Sequence, residues 1–241
     1  MLPYDFLKNV ALEKTLYALV ENKFLPLGEG EFLWYIGLKL LMSTCSGWSR
    51  NDFWSTAKFD KRSNACPYNF NAYMSKRRFD AITRELRFTN KASPQYRDRF
   101  WEVRQMIQAW NDHMAAIFVP AWVLCLDESM SIWHSMFTCP GWVFCPRKPH
   151  PFGNEYHSMC CGISGVMTMI ELVEGKDRPQ EIGNPRFDDR GGKTCGLLLR
   201  MLRNYFATGR YVVLDSGFCV LRGIVELKKE GIFAGALIKK Q

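Results

Sequence analysis

The sequence lacks the features that mark secreted or membrane-bound proteins. Its N-terminus, MLPYDFLKNVALEK, carries charges throughout and has no uninterrupted apolar core, so it is not typical of a secretory signal. The most apolar helical stretch, Phe32 to Cys45, is too short to cross a bilayer and contains Lys39. The nine cysteines are an odd number at irregular spacings, which indicates reduced thiols in the cytosol or nucleus. We therefore expect an intracellular, soluble protein with no membrane partner.

Compact signatures of several enzyme classes are also missing. Gly191-Gly192-Lys193-Thr194 ends like a phosphate-binding loop, but Phe187 stands where that motif requires glycine. No Gly-x-Ser-x-Gly segment occurs, and the four histidines suggest no nucleophile–base pair. The histidines and cysteines from His134 to His157 match no compact zinc-ligand spacing. Nucleotide-binding, triad-hydrolase and zinc sites are therefore all disfavoured.

Acidic residues are scarce relative to basic ones. The chain has 24 Asp and Glu against 32 Lys and Arg, a formal net charge of +8 and a pI near 9.0. Such a balance favours an acidic partner, with nucleic acid ahead of a membrane surface. A basic protein without a polyanion partner is the alternative.

The strongest chemical signal is a pair of aspartates, each at the end of an apolar run. In Ala121 to Trp133, AWVLCLDESMSIW, an apolar segment is followed directly by Asp127. In Tyr211 to Phe218, YVVLDSGF, a second apolar segment is followed directly by Asp215. Short apolar runs of this kind predict buried strands. An unpaired buried carboxylate costs several kcal/mol, so a strand-tip aspartate normally has a partner or a metal.

The rest of the chain predicts a helical first part and a mixed sheet after it. Residues 1–120 are predicted to be mostly helical, and residues 121–241 follow the order β, β, β, α, β, α, β. Glu31 to Cys45 is apolar nearly all round and predicts a buried helix. Ser75 is positioned to cap a helix to about Phe88, and apolar residues from Phe100 to Ile117 recur at helical spacing before Pro120. The predicted fold class is α/β, a helical N-terminal region followed by a partial ribonuclease-H-like mixed sheet with helices.

The strand order brings the two aspartates together. In the ribonuclease-H-like architecture the first and fourth strands are neighbours, so Asp127 and Asp215 are expected to meet. Paired carboxylates hold hard cations such as Mg²⁺, and two such ions promote phosphodiester chemistry. The alternative is that both aspartates are helix caps or loop anchors, which occur in many α/β folds.

Two basic segments are candidates for contacts with DNA phosphates. One is the helix predicted after Ser75, and the other is the Pro- and Gly-rich segment between the first two predicted strands. A basic helix face is most often merely solvated, and phosphate binding is the functional reading. The candidate residues are Lys76, Arg77, Arg78, Arg84, Arg87, Arg147 and Lys148.

Four segments, in the same order, resemble the piggyBac transposase family, which includes piggyBac transposable element-derived proteins. The resemblance spans roughly Glu31 to Gln241. Its segments are MSKRRFDAITRELRFTN (Met74 to Asn90), VLCLDESM (Val123 to Met130), PRKPHPFGNEYH (Pro146 to His157), and YVVLDSGF (Tyr211 to Phe218) followed by a helix and FAGALIKK.

The resemblance implies a DDE-type DNA transposase that uses Mg²⁺ or Mn²⁺ on double-stranded transposon ends, in the nucleus. Asp127 and Asp215 match the first two acids of the family's catalytic set and are therefore the implied metal ligands. The third acid has no counterpart here, so the resemblance implies an incomplete transposase. It also implies a dimerisation and DNA-binding region in residues 1–120, a possible homodimer, and a catalytic domain in residues 121–241.

Three functional hypotheses follow. The first is a transposase fragment that hydrolyses phosphodiesters and transfers strands. The second is a catalytically dead, transposon-derived DNA-binding remnant. The third is an unrelated Mg²⁺-dependent phosphohydrolase.

Overall fold

The chain forms two compact units. The computed structural model describes residues 2–45, 47–56, 66–92, 98–146, 148–174 and 186–238. One unit comprises residues 3–92, and the other comprises the chain from residue 93 onward together with the first two residues. The unit that begins at residue 93 includes the long helix that precedes Pro120. The predicted regions, residues 1–120 and 121–241, and the roles assigned to them stay predictions.

The first unit contains helices, turns and loops but no strand in its described residues. Its elements are α1 (Tyr4–Phe6), a π-helical segment (Leu7–Leu12), α2 (Glu13–Glu21), α3 (Glu29–Thr44) and α4 (Lys76–Glu85), with 3-10 turns at Asp52–Trp54 and Phe70–Ala72. Within this unit α3 buries Phe32, Tyr35 and Leu38 but leaves Trp34 and Leu40 half exposed. The prediction that this helix is buried all round is therefore not met within the helical unit, because only one of its faces is covered there.

The start of α4 follows the predicted capping chemistry. The Ser75 hydroxyl accepts a hydrogen bond from the Arg78 backbone N–H at 3.2 Å, which satisfies one of the donors left open at a helix start. Phe79 and Ile82, three positions apart and thus on one side of the helix, are fully buried. The helix ends at Glu85, three residues before the predicted end.

The second unit combines helices with a six-stranded mixed sheet. Its elements are α5 (Trp101–Ile117), β1 (Val123–Ile132), β2 (Trp142–Phe144), β3 (Phe152–Cys161), β4 (Met167–Leu172), α6 (Lys193–Leu202), β5 (Tyr211–Leu214), α7 (Leu221–Lys229) and β6 (Phe233–Ala236). The order agrees with the predicted one except that β2 is an additional strand. None of the helices in the described ranges is long and apolar enough to cross a membrane.

The strand pairing is that of a ribonuclease-H-like sheet. β1 lies in the middle, antiparallel to β3 and parallel to β5, and β5 is parallel to β6. The other edge of β3 carries both β2 and β4. The predicted fold class is confirmed, because the sheet joins the three antiparallel strands to two parallel ones through β1.

One face of the sheet is covered and the other is more open. Leu124 and Leu126 of β1 and Leu214 of β5 are buried in a core to which α6 contributes Leu198. Side chains alternate between faces along a strand, so the intervening residues, such as Val213, point the other way. Val213 is 47% exposed, whereas Leu214 is 1% exposed.

A buried ion-pair network links α6 to β4 on the covered face of the sheet. The Arg200 guanidinium bonds Glu171 of β4 at 2.8 Å and Asp188 at 3.0 Å, and it donates to the Arg186 carbonyl at 2.6 Å. Because three acceptors surround this cation, the cost of burying it is offset locally.

Candidate functional site

The structure places Asp127 and Asp215 beside each other. Leu126 pairs with Leu214 in the parallel register of β1 and β5, so the two aspartates are the next residues on adjacent strands. Adjacent strands lie about 4.8 Å apart. Both side chains are exposed, and alternation puts both on the face opposite the core. The predicted meeting of the two aspartates is therefore observed, whereas their catalytic and metal-binding roles stay predictions.

The surroundings of the two aspartates leave their oxygens accessible. The Glu128 backbone N–H donates to one Asp127 oxygen at 2.7 Å. Asp215 precedes a 3-10 turn, and its backbone carbonyl accepts from the Phe218 N–H at 3.0 Å. In the described ranges neither carboxylate has an ion-pair partner. Cys125 precedes Asp127 on the same face, and burial followed by the Asp127 charge raises the pKa of its thiol. The pair therefore offers oxygen ligands beside a neutral thiol.

No third acid completes this pair in the part of the chain that the structure describes. Glu226 of α7 is committed elsewhere, because it forms ion pairs with Arg190 at 2.7 Å, Lys229 at 2.7 Å and Arg222 at 3.3 Å. Glu230 pairs with Arg190 at 2.6 Å. These bonds hold the pKa of Glu226 down at about 2, with Lys229 and Arg190 as the main causes.

A second cluster lies on the other face of β1. In the described ranges, Glu128, Glu155 and His157 are the one group of three His, Cys, Asp or Glu residues that place ligand atoms within 4.8 Å of one another. All three residues are half-buried. They come together because Glu128 pairs with His157 and Met130 with Glu155 in the β1–β3 register. The group includes neither Asp127 nor Asp215.

The surroundings of this cluster are mixed in polarity. The Phe218 ring packs edge-on against His157, with ring centroids 5.5 Å apart. Burial is the main cause that lowers the pKa of His157, and its Nδ1 is buried without a hydrogen-bond partner. Burial and the Glu128 charge raise the pKa of Glu155. The Lys148 ammonium is close by and donates to the Glu128 backbone carbonyl at 2.8 Å.

Sequence reasoning did not identify this cluster. His157 was considered only with the preceding histidines and cysteines. Because side chains alternate along a strand, Glu128 lies on the face opposite Asp127. What was missing is the register between β1 and β3, which no local pattern specifies.

The basic residues of α4 differ in how far they are free to bind a ligand. Arg77 and Arg84 are exposed. The Arg84 guanidinium lies 4.8 Å from the centroid of the Phe24 ring, and its Nε pairs with the adjacent Glu85 at 3.1 Å. A groove of about 540 Å³ in the helical unit is lined by Phe24, Lys76, Arg77, Asp80, Ala81 and Arg84. Three cations and one acid therefore border a surface depression, which is suited to an anionic group.

The remaining predicted contacts are more constrained. Arg78 holds Glu31 through two bonds of 2.7 Å and donates to the carbonyls of Leu25 and Pro26, so a phosphate would have to compete with Glu31. Lys76 pairs with Asp80 at 2.8 Å. Arg87 donates to the Leu86 carbonyl at 3.1 Å and lies 3.7 Å from Glu85. Arg147 lies outside the described residues, and Lys148 is bonded to Glu128 as stated above.

Comparison with known proteins agrees with this architecture. The cryo-EM structure of a piggyBac transposase synaptic complex with hairpin DNA matches with a TM-score of 0.73 at 17% sequence identity, over 96% of this chain and 48% of that chain. The present chain thus spans about half the length of that transposase, and at this identity the match shows the shared fold. Curated proteins gave no match.

The family assignment rests on the sequence profile described as Transposase IS4, which matches residues 1–241. A match over the whole chain is independent of the structural similarity, and both lead to the same group of proteins. The chain therefore belongs to the Transposase IS4 family.

Proposed function

We propose that Asp127 and Asp215 are ligands for Mg²⁺ or Mn²⁺ in a DNA transposase that hydrolyses phosphodiesters and transfers DNA strands. The observation that carries the proposal is the parallel pairing of β1 and β5, in which Asp127 and Asp215 follow the paired residues Leu126 and Leu214 on one face of the sheet. Hard divalent cations select such oxygen ligands. Membership of a DDE transposase family supports the same assignment.

The two residues fit a divalent cation. Their side chains are exposed, and no cation of the described residues neutralises either carboxylate. When bound, a divalent ion polarises a phosphodiester and lowers the pKa of an attacking water. The chain itself contributes orientation, because the Glu128 N–H fixes one Asp127 oxygen and the β1–β5 ladder fixes the spacing of the two aspartates. The open face leaves room for a nucleic-acid backbone.

DNA is the proposed substrate and partner. The basic groove beside Arg77 and Arg84 supports contacts to phosphates, as does the net charge of +8. The matched piggyBac transposase is itself in a complex with hairpin DNA. Binding to double-stranded transposon ends, a homodimer and a nuclear location complete the proposal.

A second candidate function is a catalytically dead DNA-binding module. It is favoured by one observation, namely that no third acid or histidine joins Asp127 and Asp215 in the described ranges. Both candidates require DNA binding, so they differ only in whether the chain cleaves DNA.

Nicking of supercoiled plasmid with Mn²⁺ distinguishes the two functions. We expect the unmodified chain to nick plasmid and Asp127→Asn or Asp215→Asn to reduce the rate by at least about 100-fold, since even outer-shell changes at metal sites cost 10–100-fold. Asp112→Asn, at an exposed carboxylate on α5, is the matched control and should nick normally. Nicking that survives in Asp127→Asn would overturn the metal assignment. A folded chain that binds DNA without nicking it would favour the binding module.

DNA affinity tests the basic groove. Removing exposed cations that contact phosphates should weaken binding to all sequences and reduce its dependence on salt. We therefore expect Arg77→Ala/Arg84→Ala to lower the slope of log affinity against log salt by about two, since each phosphate contact contributes about one. Lys23→Ala, in the same helical unit, is the control. An unchanged slope would remove this groove from the DNA interface.

A further inference from the structure

Glu128, Glu155 and His157 carry an inference that is independent of the proposed function. We propose that they form a second divalent-cation site, of the kind that binds Zn²⁺ and related transition-metal ions, on the face of β1 opposite Asp127. Two carboxylates and one imidazole converge there from two adjacent strands. Imidazole nitrogen combined with carboxylate oxygen suits such ions better than Mg²⁺, which prefers oxygen ligands alone.

The geometry is close to that of a bound site. The ligand atoms of all three side chains lie within 4.8 Å of one another. Around an ion with bonds of about 2 Å, ligand atoms lie about 3–4 Å apart, so small side-chain rotations close the site. Glu128 and His157 are directly opposed, and Glu155 is on the same strand and face as His157, so the β1–β3 ladder preorganises all three.

The negative charges in the cluster are only partly balanced by the protein. In the ranges that the structure describes, neither Glu128 nor Glu155 has an ion-pair partner, and the two carboxylates are close enough to repel each other. Lys148 directs its ammonium to the Glu128 backbone carbonyl, and its charge partly offsets that of Glu155. Arg200 approaches the same region, but its guanidinium is bonded to Glu171 and Asp188. A bound cation would relieve the repulsion between the two carboxylates.

The imidazole supplies a separate observation. His157 Nδ1 is buried and has no hydrogen-bond partner, although buried polar atoms in proteins nearly always have one. Its ring is held in place by the edge-on contact with Phe218. A metal ion bound to the ring would either occupy this nitrogen or recruit a water to it, as ligand histidines normally use both nitrogens.

The position of the site suggests a structural role next to the catalytic edge. The turn after Asp215 is close by, because a Cβ added to Gly217 would lie 3.3 Å from the Glu128 carboxylate. Phe218 of the same turn touches His157. An ion bound here would therefore hold the middle of β1 against β3 and beside the turn that follows Asp215. It would stabilise the backbone around Asp127 and Asp215 without touching their ligand atoms.

The test uses the Asp127→Asn/Asp215→Asn double variant of the full chain, which removes the other candidate metal ligands. Titration with Co²⁺ is followed by visible absorption, since cobalt spectra distinguish nitrogen and oxygen ligands from the thiolates of the free cysteines. We expect one equivalent to bind without a thiolate band, Zn²⁺ to displace it, and a large excess of Mg²⁺ not to. His157→Gln or Glu155→Gln added to this background should weaken binding at least about tenfold. His150→Gln, at an exposed histidine outside the group, should bind normally.

A second measurement separates loss of the site from loss of the fold. Glu155→Gln removes one of two neighbouring like charges, so the metal-free variant should melt at or above the temperature of its parent. The same variant should lose the rise in melting temperature that Zn²⁺ causes in the parent. Absence of one-equivalent binding in the double variant would overturn the proposal. The proposal would also be overturned if the His157→Gln or Glu155→Gln variant bound Co²⁺ with the same affinity as the double variant from which it was made. Neither outcome depends on whether the chain nicks DNA.

Discussion

The middle of β1 presents two different sets of candidate metal ligands on its two faces. On the open face, Asp127 and Asp215 offer exposed oxygen ligands from two parallel strands. On the other face, Glu128, Glu155 and His157 offer mixed ligands, half-buried, from two antiparallel strands. Because adjacent residues of a strand point in opposite directions, Asp127 and Glu128 belong to separate sites despite being neighbours. The open face suits a large substrate such as DNA, whereas the covered face suits a small ion.

The largest expected effect concerns how the two faces are stabilised. Leu214→Ala removes a side chain that is 1% exposed and leaves a cavity in the core under α6, so it should lower the free energy of unfolding by about 2–5 kcal/mol. Val213→Ala, its neighbour on the open face, should cost less than about 1 kcal/mol because that side chain is 47% exposed. Urea denaturation of both variants measures the difference. Equal losses would mean that the open face is covered in solution, for example by a second copy of the chain.

An intermediate effect is expected from acid. The ion pairs of Glu226 hold the pKa of its carboxyl at about 2, below its ordinary value of 4.5. A depressed carboxyl pKa contributes stability that is fully present above about pH 4.5 and is lost as the pH falls towards 2. We therefore expect the difference in unfolding free energy between the unmodified chain and Glu226→Gln to be constant above pH 5 and to shrink between pH 4.5 and 2.

Denaturation of both proteins at several pH values measures this difference. Asp112→Asn provides the comparison, because its exposed carboxylate makes only a local bond to Gln108. A difference for Glu226→Gln that does not change below pH 4.5 would show that the network on α7 does not hold the carboxylate ionised.

The smallest effect is expected when variants of the two faces are compared in the nicking assay. Because the second site has only a supporting role, His157→Gln should change the Mn²⁺-dependent nicking rate by less than about tenfold. Asp127→Asn, which removes a proposed ligand oxygen, should lower that rate by at least about 100-fold. Adding Zn²⁺ should change the nicking rate of the unmodified chain and leave that of His157→Gln unchanged. A loss in His157→Gln as large as that in Asp127→Asn would show that both faces act as one catalytic centre.

Two neighbouring arginines of α4 differ in how they are used. Arg78 is bonded to Glu31 and to two backbone carbonyls, whereas Arg77, at the preceding position, is exposed. Both residues have the same charge and nearly the same local sequence. Successive residues of a helix point in different directions, so Arg78 faces Glu31 and forms an ion pair with it, whereas Arg77 does not. A patch of basic residues therefore overstates the number of cations available to a ligand.

Periodicity and local chemistry accounted for most of the elements. The apolar runs before Asp127 and Asp215 predicted β1 and β5, and Ser75 predicted the start of α4. Gly231, with φ of 72°, follows the end of α7, a position at which glycine is favoured. β2 was not predicted, because three residues in a Pro- and Gly-rich segment carry too short a pattern. β2 pairs with β3, and the Trp142 and Phe144 rings stack on Phe152. These contacts cannot be predicted until the pairing of the two strands is known.

By itself, the sequence determined which apolar runs form β1 and β5, which helix is basic, and the family to which the chain belongs, since each depends on the identity and spacing of nearby residues. The prediction that Asp127 lies at a strand tip was wrong, because β1 continues to Ile132, whereas Asp215 does follow the end of β5. Only the tertiary structure decided which strands are neighbours and in what register. That register brings Asp127 to Asp215 across 88 positions (215 minus 127), and it separately gathers Glu128, Glu155 and His157. The physical reason is that pairing between distant strands is selected by burial of a shared face, here that of Leu124, Leu126 and Leu214, and not by the polar residues that the pairing brings together.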